Sequence, residues 1–377
     1  MINKRLEEKM GARKIEAGLE KVFSGIEDPR SKRNQKHAFL SLLGIGLLGS
    51  VAGIDSFSGL GDFAEAHEEA LKEVIDLSNG PPSHDTLQRF FNELNPEHFL
   101  EKFMEFTQAL VERLPGVIAI DGKTIRNSGR THPLHIVSAW CEANQLVLGQ
   151  VKVDDKSNEI TAIPRLLELL DISNKIITID AMGCQREIAQ QIIDLEGDYV
   201  MGLKGNQKTL LEDAKEYFKS DFKGCQWQEA DKGHGRLEER ICRVIDDIDW
   251  MQEHHQWPGL KSIAQVISTR TIKDKTTTDT RYYLSSLPAN AELLCKAARA
   301  HWSVENKLHW RLDVVFNEDK CCIRNDNASE NVDIMRKWAL NILNKQKKEH
   351  VSLKSMQRKA AMSFKFLKNT LQDFFHA

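Results

Sequence analysis

The sequence predicts an α/β protein of the α+β kind, with a helical N-terminal region, a mixed five-stranded sheet and a β-rich insertion. Three observations predict it. Up to about residue 114, apolar residues recur at helical spacing. From Val117, short β-branched runs alternate with helical stretches. Between about 221 and 288, four further strand-like runs follow one another.

The N-terminal region comes first. Leu87, Phe90, Phe91 and Leu94, then Phe99, Phe103, Phe106 and Leu110, fall on helical faces. Pro81-Pro82 breaks the chain, and Ser83 offers an N-cap to the helix opened by Thr86 and Leu87. The uncharged run from Ala38 to Ile54 is short for a membrane span. Gly44, Gly46, Gly49 and Gly53 dilute it, so a buried helix is expected there. The basic, turn-like stretch from Asp28 to Lys36 makes Arg30, Lys32 and Arg33 candidate phosphate contacts.

The sheet follows. Val117–Asp121, His135–Cys141 and Leu146–Val153 read as three antiparallel strands. A helix from about Ile160 to Leu170 leads to a fourth strand, Lys175–Asp180. A second helix, about Gln185 to Leu195, leads to a fifth, Asp198–Leu203. This is the element order of an RNase H-like core. In that arrangement the first and fourth strands are neighbours, so Asp121 and Asp180, ending those strands, meet at one sheet edge. The runs Cys225–Glu229, Arg236–Val244, Ser262–Arg270 and Thr280–Ser286 are expected to form a subdomain apart from the central sheet. Gly235 should turn the chain, beside His234 and Arg236 as weaker DNA candidates. A long helix, about Ala291 to Val315, then resumes the core. The expected organisation is therefore 1–114, 115–220, 221–288 and 289–377.

Charge is uneven. The net value is −3, but residues 1–40 carry +4 and residues 341–377 carry +6, which leaves −13 between them. That excludes a uniformly basic coat and fits phosphate-binding flanks around a carboxylate site. Seven cysteines, with no Cys-x-x-Cys pair, exclude a zinc ribbon and argue against a disulfide framework. The charged first residues do not read as a signal peptide, and a cytoplasmic location without membrane attachment is expected.

Hydrolysis or transesterification of a phosphodiester without a covalent enzyme intermediate needs an activated oxygen nucleophile and a stabilised leaving oxygen. Two divalent cations about 3.5–4 Å apart supply both, and carboxylate oxygens favour Mg2+ or Mn2+. Asp121 and Asp180 give two ligands, each after an Ile-rich strand and before a small residue. Glu305 gives the third. At four-residue steps His301, Glu305, His309 and Asp313 form a polar row beside the apolar stripe Val304, Leu308, Leu312 and Val315. His301 and His309 stand about 12 Å apart along a straight helix, too far to share one zinc ion. Repulsion among the three acids is expected to splay them somewhat when no cation is bound.

Five motifs carry a resemblance: Ile118-Ala-Ile-Asp-Gly-Lys-Thr124, Asp155-Lys-Ser-Asn-Glu-Ile-Thr-Ala-Ile-Pro164, Ile179-Asp-Ala-Met-Gly-Cys-Gln185, Lys204-Gly-Asn-Gln207 and His301-Trp-Ser-Val-Glu-Asn-Lys-Leu-His-Trp-Arg-Leu-Asp313. Together they resemble the H-repeat-associated insertion-sequence transposases of the DDE superfamily. The resemblance implies an RNase H-like core, the triad Asp121, Asp180 and Glu305, and two Mg2+ or Mn2+ ions. It also implies metal-dependent cleavage and strand transfer at insertion-sequence ends. The implied partners are double-stranded terminal inverted repeats, target DNA and a second copy of the chain for synapsis. Related enzymes carry Tyr-x2-Arg-x3-Glu-x6-Lys around the glutamate. Ala298, His301, Glu305 and Leu312 occupy those positions here, so phosphate contacts fall to His301, Arg299, Lys307, Arg311 or residues elsewhere. Lys123, Arg126, Lys204, Lys208 and His309 are further candidates. Two rival readings are a DNA-binding remnant without catalysis and a nuclease that hydrolyses without strand transfer.

Overall fold

The protein is described from a computed structural model covering residues 15, 17–111, 116–129, 133–154, 157–219, 222–233, 235–273, 275–324 and 326–375. His234, Asp155, Lys156 and the basic residues of the first fourteen positions lie outside the described residues.

The β-branched runs form the five expected strands: β1 Val117–Thr124, β2 His135–Cys141, β3 Leu146–Lys152, β4 Ile176–Ile179 and β5 Asp198–Leu203. β2 pairs antiparallel with β1 and β3, while β4 runs parallel to β1 and β5 parallel to β4. The parallel β1–β4 ladder ends at Ile120↔Ile179. Asp121 and Asp180 are the next residue on each chain, so they emerge side by side. β1 does not end at Asp121, as the sequence predicts. β2 keeps pairing with it through Lys123↔Ile136 and Thr124↔His135 and holds it extended to Thr124.

The insertion is β-rich, but it does not stand apart from the sheet. Its strands are β6 Cys225–Gly233, β7 Arg236–Ile245, β8 Ser262–Ile272 and β9 Lys275–Ser285. β9 pairs antiparallel with β5, from Val200↔Ser285 to Leu203↔Tyr282. One nine-stranded sheet results, in the order β3-β2-β1-β4-β5-β9-β8-β7-β6, where five strands and a separate subdomain were expected. Without β9, β5 would be an edge strand with unpaired N–H and C=O groups. All four added strands lie beyond β5, so the order of the first five is kept. Gly235, at φ +74, turns the chain between β6 and β7.

The N-terminal helices cover the other end of the sheet. The uncharged run forms the helix Phe39–Val51, buried from Ser41 through Val51. Among the described residues no helix is long and apolar enough to cross a membrane. Ser83 caps the helix His84–Glu93 by accepting from the Thr86 N–H. Both helices, with Pro96–Ala109, pack on the helix Asp326–Lys345, which itself lies on β3. Gly149 of β3 permits the closest approach: a Cβ there would stand 2.4 Å from the Met104 methyl. One apolar core consequently runs from Ile15 to Phe375.

The helix Ala291–Ser303 crosses the sheet over β1 and β4. It is not a straight α-helix to Val315. Val304–His309 form a π-helical turn, in which the Trp310 N–H donates to the Glu305 carbonyl, before Trp310–Val314 return to α geometry. The extra residue in that turn breaks the expected four-residue row, a distortion common at functional sites. The apolar stripe survives, with Val304, Leu308, Leu312 and Val315 all buried.

Candidate active site

Asp121 points to the face of the sheet that carries the Glu305 helix. Its carboxylate oxygen Oδ2 lies 3.6 Å from His309 Nδ1. Burial pushes the Asp121 carboxyl up to about 7, and the negative charges of Glu159, Asp180 and Glu305 push the same way. Burial acts on His309 in the opposite sense and, with Lys123 and Lys337, lowers it to about 3. At neutral pH His309 is therefore an uncharged imidazole and does not offset the acidic charge. Its Nε2 is buried with no hydrogen-bond partner among the described residues.

Asp180 begins the loop after β4. Its Oδ1 accepts from the backbone N–H of Met182 at 2.9 Å and of Gly183 at 3.3 Å. The Lys204-Gly-Asn-Gln207 segment braces this loop from β5. Asn206 Nδ2 donates to the Ala181 carbonyl at 2.6 Å, and Gln207 Nε2 to the Cys184 carbonyl at 3.1 Å. These bonds explain why a polar tetrapeptide follows β5: it fixes the Asp180 loop.

Glu305 is exposed on the π turn. The helix is held to the sheet in the turn before it. His301 Nδ1 meets Thr178 Oγ1 of β4 at 3.3 Å, and burial lowers the His301 pKa. Trp140 of β2 donates to Ser303 Oγ at 2.9 Å. Glu305 opens onto a groove of about 890 Å³ between the helix and β6–β9. Arg240, Arg270 and Arg281 line it together with Glu229 and Glu238, and Arg281 stacks 4.0 Å from the ring centre of exposed Trp302.

The ladder sets Asp121 and Asp180 side by side, while Glu305 stands on the crossing helix, near enough for its charge to act on Asp121. Oxygen-only donors with mutually reinforcing negative charge suit a hard divalent cation in chemistry and charge. Their spacing is looser than a closed shell. Among the described residues no three His, Cys, Asp or Glu side chains stand close enough to grip an ion.

The candidate phosphate contacts divide. Lys123 is committed to Asp313 and Glu318, Arg299 to Glu229 and Asp231, Lys307 to Glu142, and Arg311 to Gln145 and Asn344. Arg30 holds both carboxylate oxygens of Asp28 and lies 5.5 Å from the centre of the Phe90 ring. Lys204, Lys208, Lys32 and Arg33 are exposed, without an ion pair among the described residues. Arg126 is also exposed, at 3.4 Å from Asp319.

Sequence reasoning assigned no role to Glu159, though it lies inside a quoted motif. It also passed over the buried network behind Lys123. There Glu318 and Asp333 are fully buried, Lys337 Nζ is 2.9 Å from Asp333 Oδ2, and Gln150 of β3 donates to the same oxygen at 2.8 Å. Burial raises the Glu318 carboxyl. Burial also works against the Asp333 carboxylate, but Lys337 holds it below its ordinary value.

Comparison with known proteins bears directly on this geometry. Residues 20–107 match the family described as DDE_Tnp_1-associated, and residues 112–342 match the family described as Transposase DDE domain. Putative protein YbfL of Escherichia coli is 41% identical over 366 residues, covering 93% of this chain and 96% of its own length. The H repeat-associated putative transposase YhhI of Escherichia coli is 40% identical, with the same coverage. Putative transposase YncI of Escherichia coli O157:H7 is 38% identical, covering 93% of each chain.

Proposed function

The chain belongs to the H-repeat-associated family of DDE transposases, and from that premise we propose that it cleaves the ends of insertion-sequence DNA and joins them to target DNA, with Asp121, Asp180 and Glu305 as its acids. The observation that carries this reading is the placing of Asp121 next to Asp180 at the end of the parallel β1–β4 ladder, where its half-buried carboxyl, driven up to about 7, has no ion pair with Lys or Arg among the described residues. A structural acid in such a place would have acquired a lysine or arginine. This one is left for an external cation.

Asp121, Asp180 and Glu305 would hold two Mg2+ or Mn2+ ions. When bound, these would neutralise the phosphodiester and raise the acidity of the attacking water or 3′-hydroxyl. The chain's own residues set the geometry. The Met182 and Gly183 N–H groups aim Asp180, neutral His309 lies against Asp121, and the π turn presents Glu305 towards the groove. Exposed Lys204 and Lys208, beside the Asp180 loop, are the proposed phosphate contacts nearest the acids. Terminal inverted repeats and target DNA would be the double-stranded partners, a second copy of the chain would complete the synaptic complex, and the setting would be cytoplasmic.

The test is incubation with a labelled terminal-repeat duplex, a target duplex and Mg2+. Joined strand-transfer product is the expected result. Cut ends without joining would leave a nuclease, and a mobility shift without cutting would leave a DNA-binding remnant.

A further inference from the structure

The Asp121 carboxylate faces acids from two directions. Asp180, one residue past the β1–β4 ladder, and Glu305, on the helix that crosses β1 and β4, are two of them. The third acid, Glu159, comes from the opposite face, at the start of the helix Glu159–Glu168. That helix packs on β2 and β3, and Asn158 caps it by accepting from the Ile160 N–H.

Two features bring the Glu159 carboxylate onto β1. Gly122, next to Asp121, lacks the side chain that would block it: a Cβ there would stand 2.1 Å from Glu159 Oε1. The same oxygen lies 2.9 Å from His135 Nε2, while Thr124 Oγ1 lies 2.7 Å from His135 Nδ1. Thr124 and His135 are directly paired across β1 and β2. The Glu159 side chain, 13% exposed, is thus fixed behind the strand that carries Asp121. A glutamate serving only to favour a helix N-terminus would need neither the bare Gly122 nor the His135 anchor.

We propose that Glu159 is a fourth acidic group of the Asp121 centre, a positioning residue that acts through β1 at Gly122 to strengthen the hold on a divalent cation. This rests on the reading of Asp121 as a cation ligand, and the test separates the two.

Mn2+ alone is titrated into the full chain and free Mn2+ is followed by electron paramagnetic resonance, for the wild type, Glu159→Gln, Gly122→Ala and Asp121→Asn. Melting of each in EDTA is recorded alongside. Glu159→Gln removes the charge. Gly122→Ala keeps every acid but places a methyl group where the Glu159 carboxylate now lies. Both are expected to lower Mn2+ affinity about tenfold, the size typical of groups supporting metal ligands. Wild-type affinity in both, with Asp121→Asn unable to bind, overturns the role of Glu159 and leaves the transposase reading standing. A lowered melting temperature in EDTA for Glu159→Gln, with Mn2+ affinity unchanged, also overturns it, because Glu159 would then only support the fold. Unchanged binding in Asp121→Asn removes the cation site itself, and this inference falls with it.

Discussion

Two groups of carboxylates sit two residues apart along β1 and solve the problem of buried charge in opposite ways. Around Lys123, the acids Asp313, Glu318 and Asp333 are met by Lys123, Lys337 and Gln150, all within the fold. Around Asp121, Glu159 is held by His135, Asp180 and Glu305 add further negative charge, and the Asp121 carboxylate itself meets the neutral His309. The first group carries its own cations, although Glu318 Oε1 and Asp333 Oδ1 have no hydrogen-bond partner among the described residues. The second is a standing deficit of positive charge, which costs stability and is explained by a ligand that brings the charge in. A cluster of acids is therefore informative only once its cations have been accounted for.

The largest expected difference between the two groups is in activity. Asp121→Asn, Asp180→Asn and Glu305→Gln keep shape and remove charge. Each should lower Mg2+-dependent cleavage of a terminal-repeat duplex by about a thousandfold or more while leaving its mobility shift in place, since DNA grip is expected elsewhere. Near wild-type cutting by all three would break the comparison, because the Asp121 group would then be as structural as the other.

Stability should respond the other way round. Lys337→Met leaves Asp333 buried without its cation, at a cost of about 3–5 kcal/mol in urea unfolding. Asp121→Asn, unfolded in EDTA at pH 8, should lose nothing and gain stability, because it removes an acid that its neighbours repel. If both variants lose stability equally, Asp121 is paired in a way the geometry does not show.

The pH dependence sharpens the same point. The Asp121 carboxyl stands at about 7 in the fold, against 3.8 for an ordinary aspartate. Between those values the folded chain keeps a proton that the unfolded chain has released. Unfolding free energy in EDTA should therefore fall as pH rises through this window, by up to ~4 kcal/mol from this group. The wild type minus Asp121→Asn difference isolates it. A flat difference from about pH 4 to pH 7 would mean that Asp121 ionises normally. Divalent-cation affinity should rise over the same window, as the competing proton leaves.

How far the sequence reveals each group follows from what each depends on. The Asp121 and Asp180 carboxylates were legible because each follows an Ile-rich strand, and parallel pairing of those strands sets them side by side. Glu305 was legible from its apolar stripe, but the π turn beneath it was not, since no local residue choice marks where a helix takes in an extra residue. Glu159 acts through a contact across the sheet, between a helix start and a bare glycine, and such a contact has no local periodicity. Asp333 and Lys337 stand at i,i+4 on one helix, and the packing of that helix on β3 buries them. The joining of β9 to β5 is likewise a pairing of distant segments. It turns an insertion that reads as separate in sequence into an extension of the central sheet.

The smallest effect applies the same accounting to cations. Arg30, Lys32 and Arg33 look alike in sequence, but Arg30 is already spent on Asp28 and Phe90, whereas Lys32 and Arg33 are exposed. A phosphate contact displaces counterions from DNA, so each one adds about one to the slope of log affinity against log salt. Lys32→Ala and Arg33→Ala should each reduce that slope by about one, with cleavage chemistry on bound DNA unchanged. Arg30→Ala should leave the slope as it is and lower the melting temperature instead, because it frees a half-buried aspartate and uncovers an aromatic ring. Binding of a terminal-repeat duplex at a series of salt concentrations, with melting curves on the same preparations, separates the outcomes. A slope that falls for Arg30→Ala and holds for the other two would mean that Asp28 yields its arginine to DNA, and that pairing within the free chain does not decide which cations are available to a ligand.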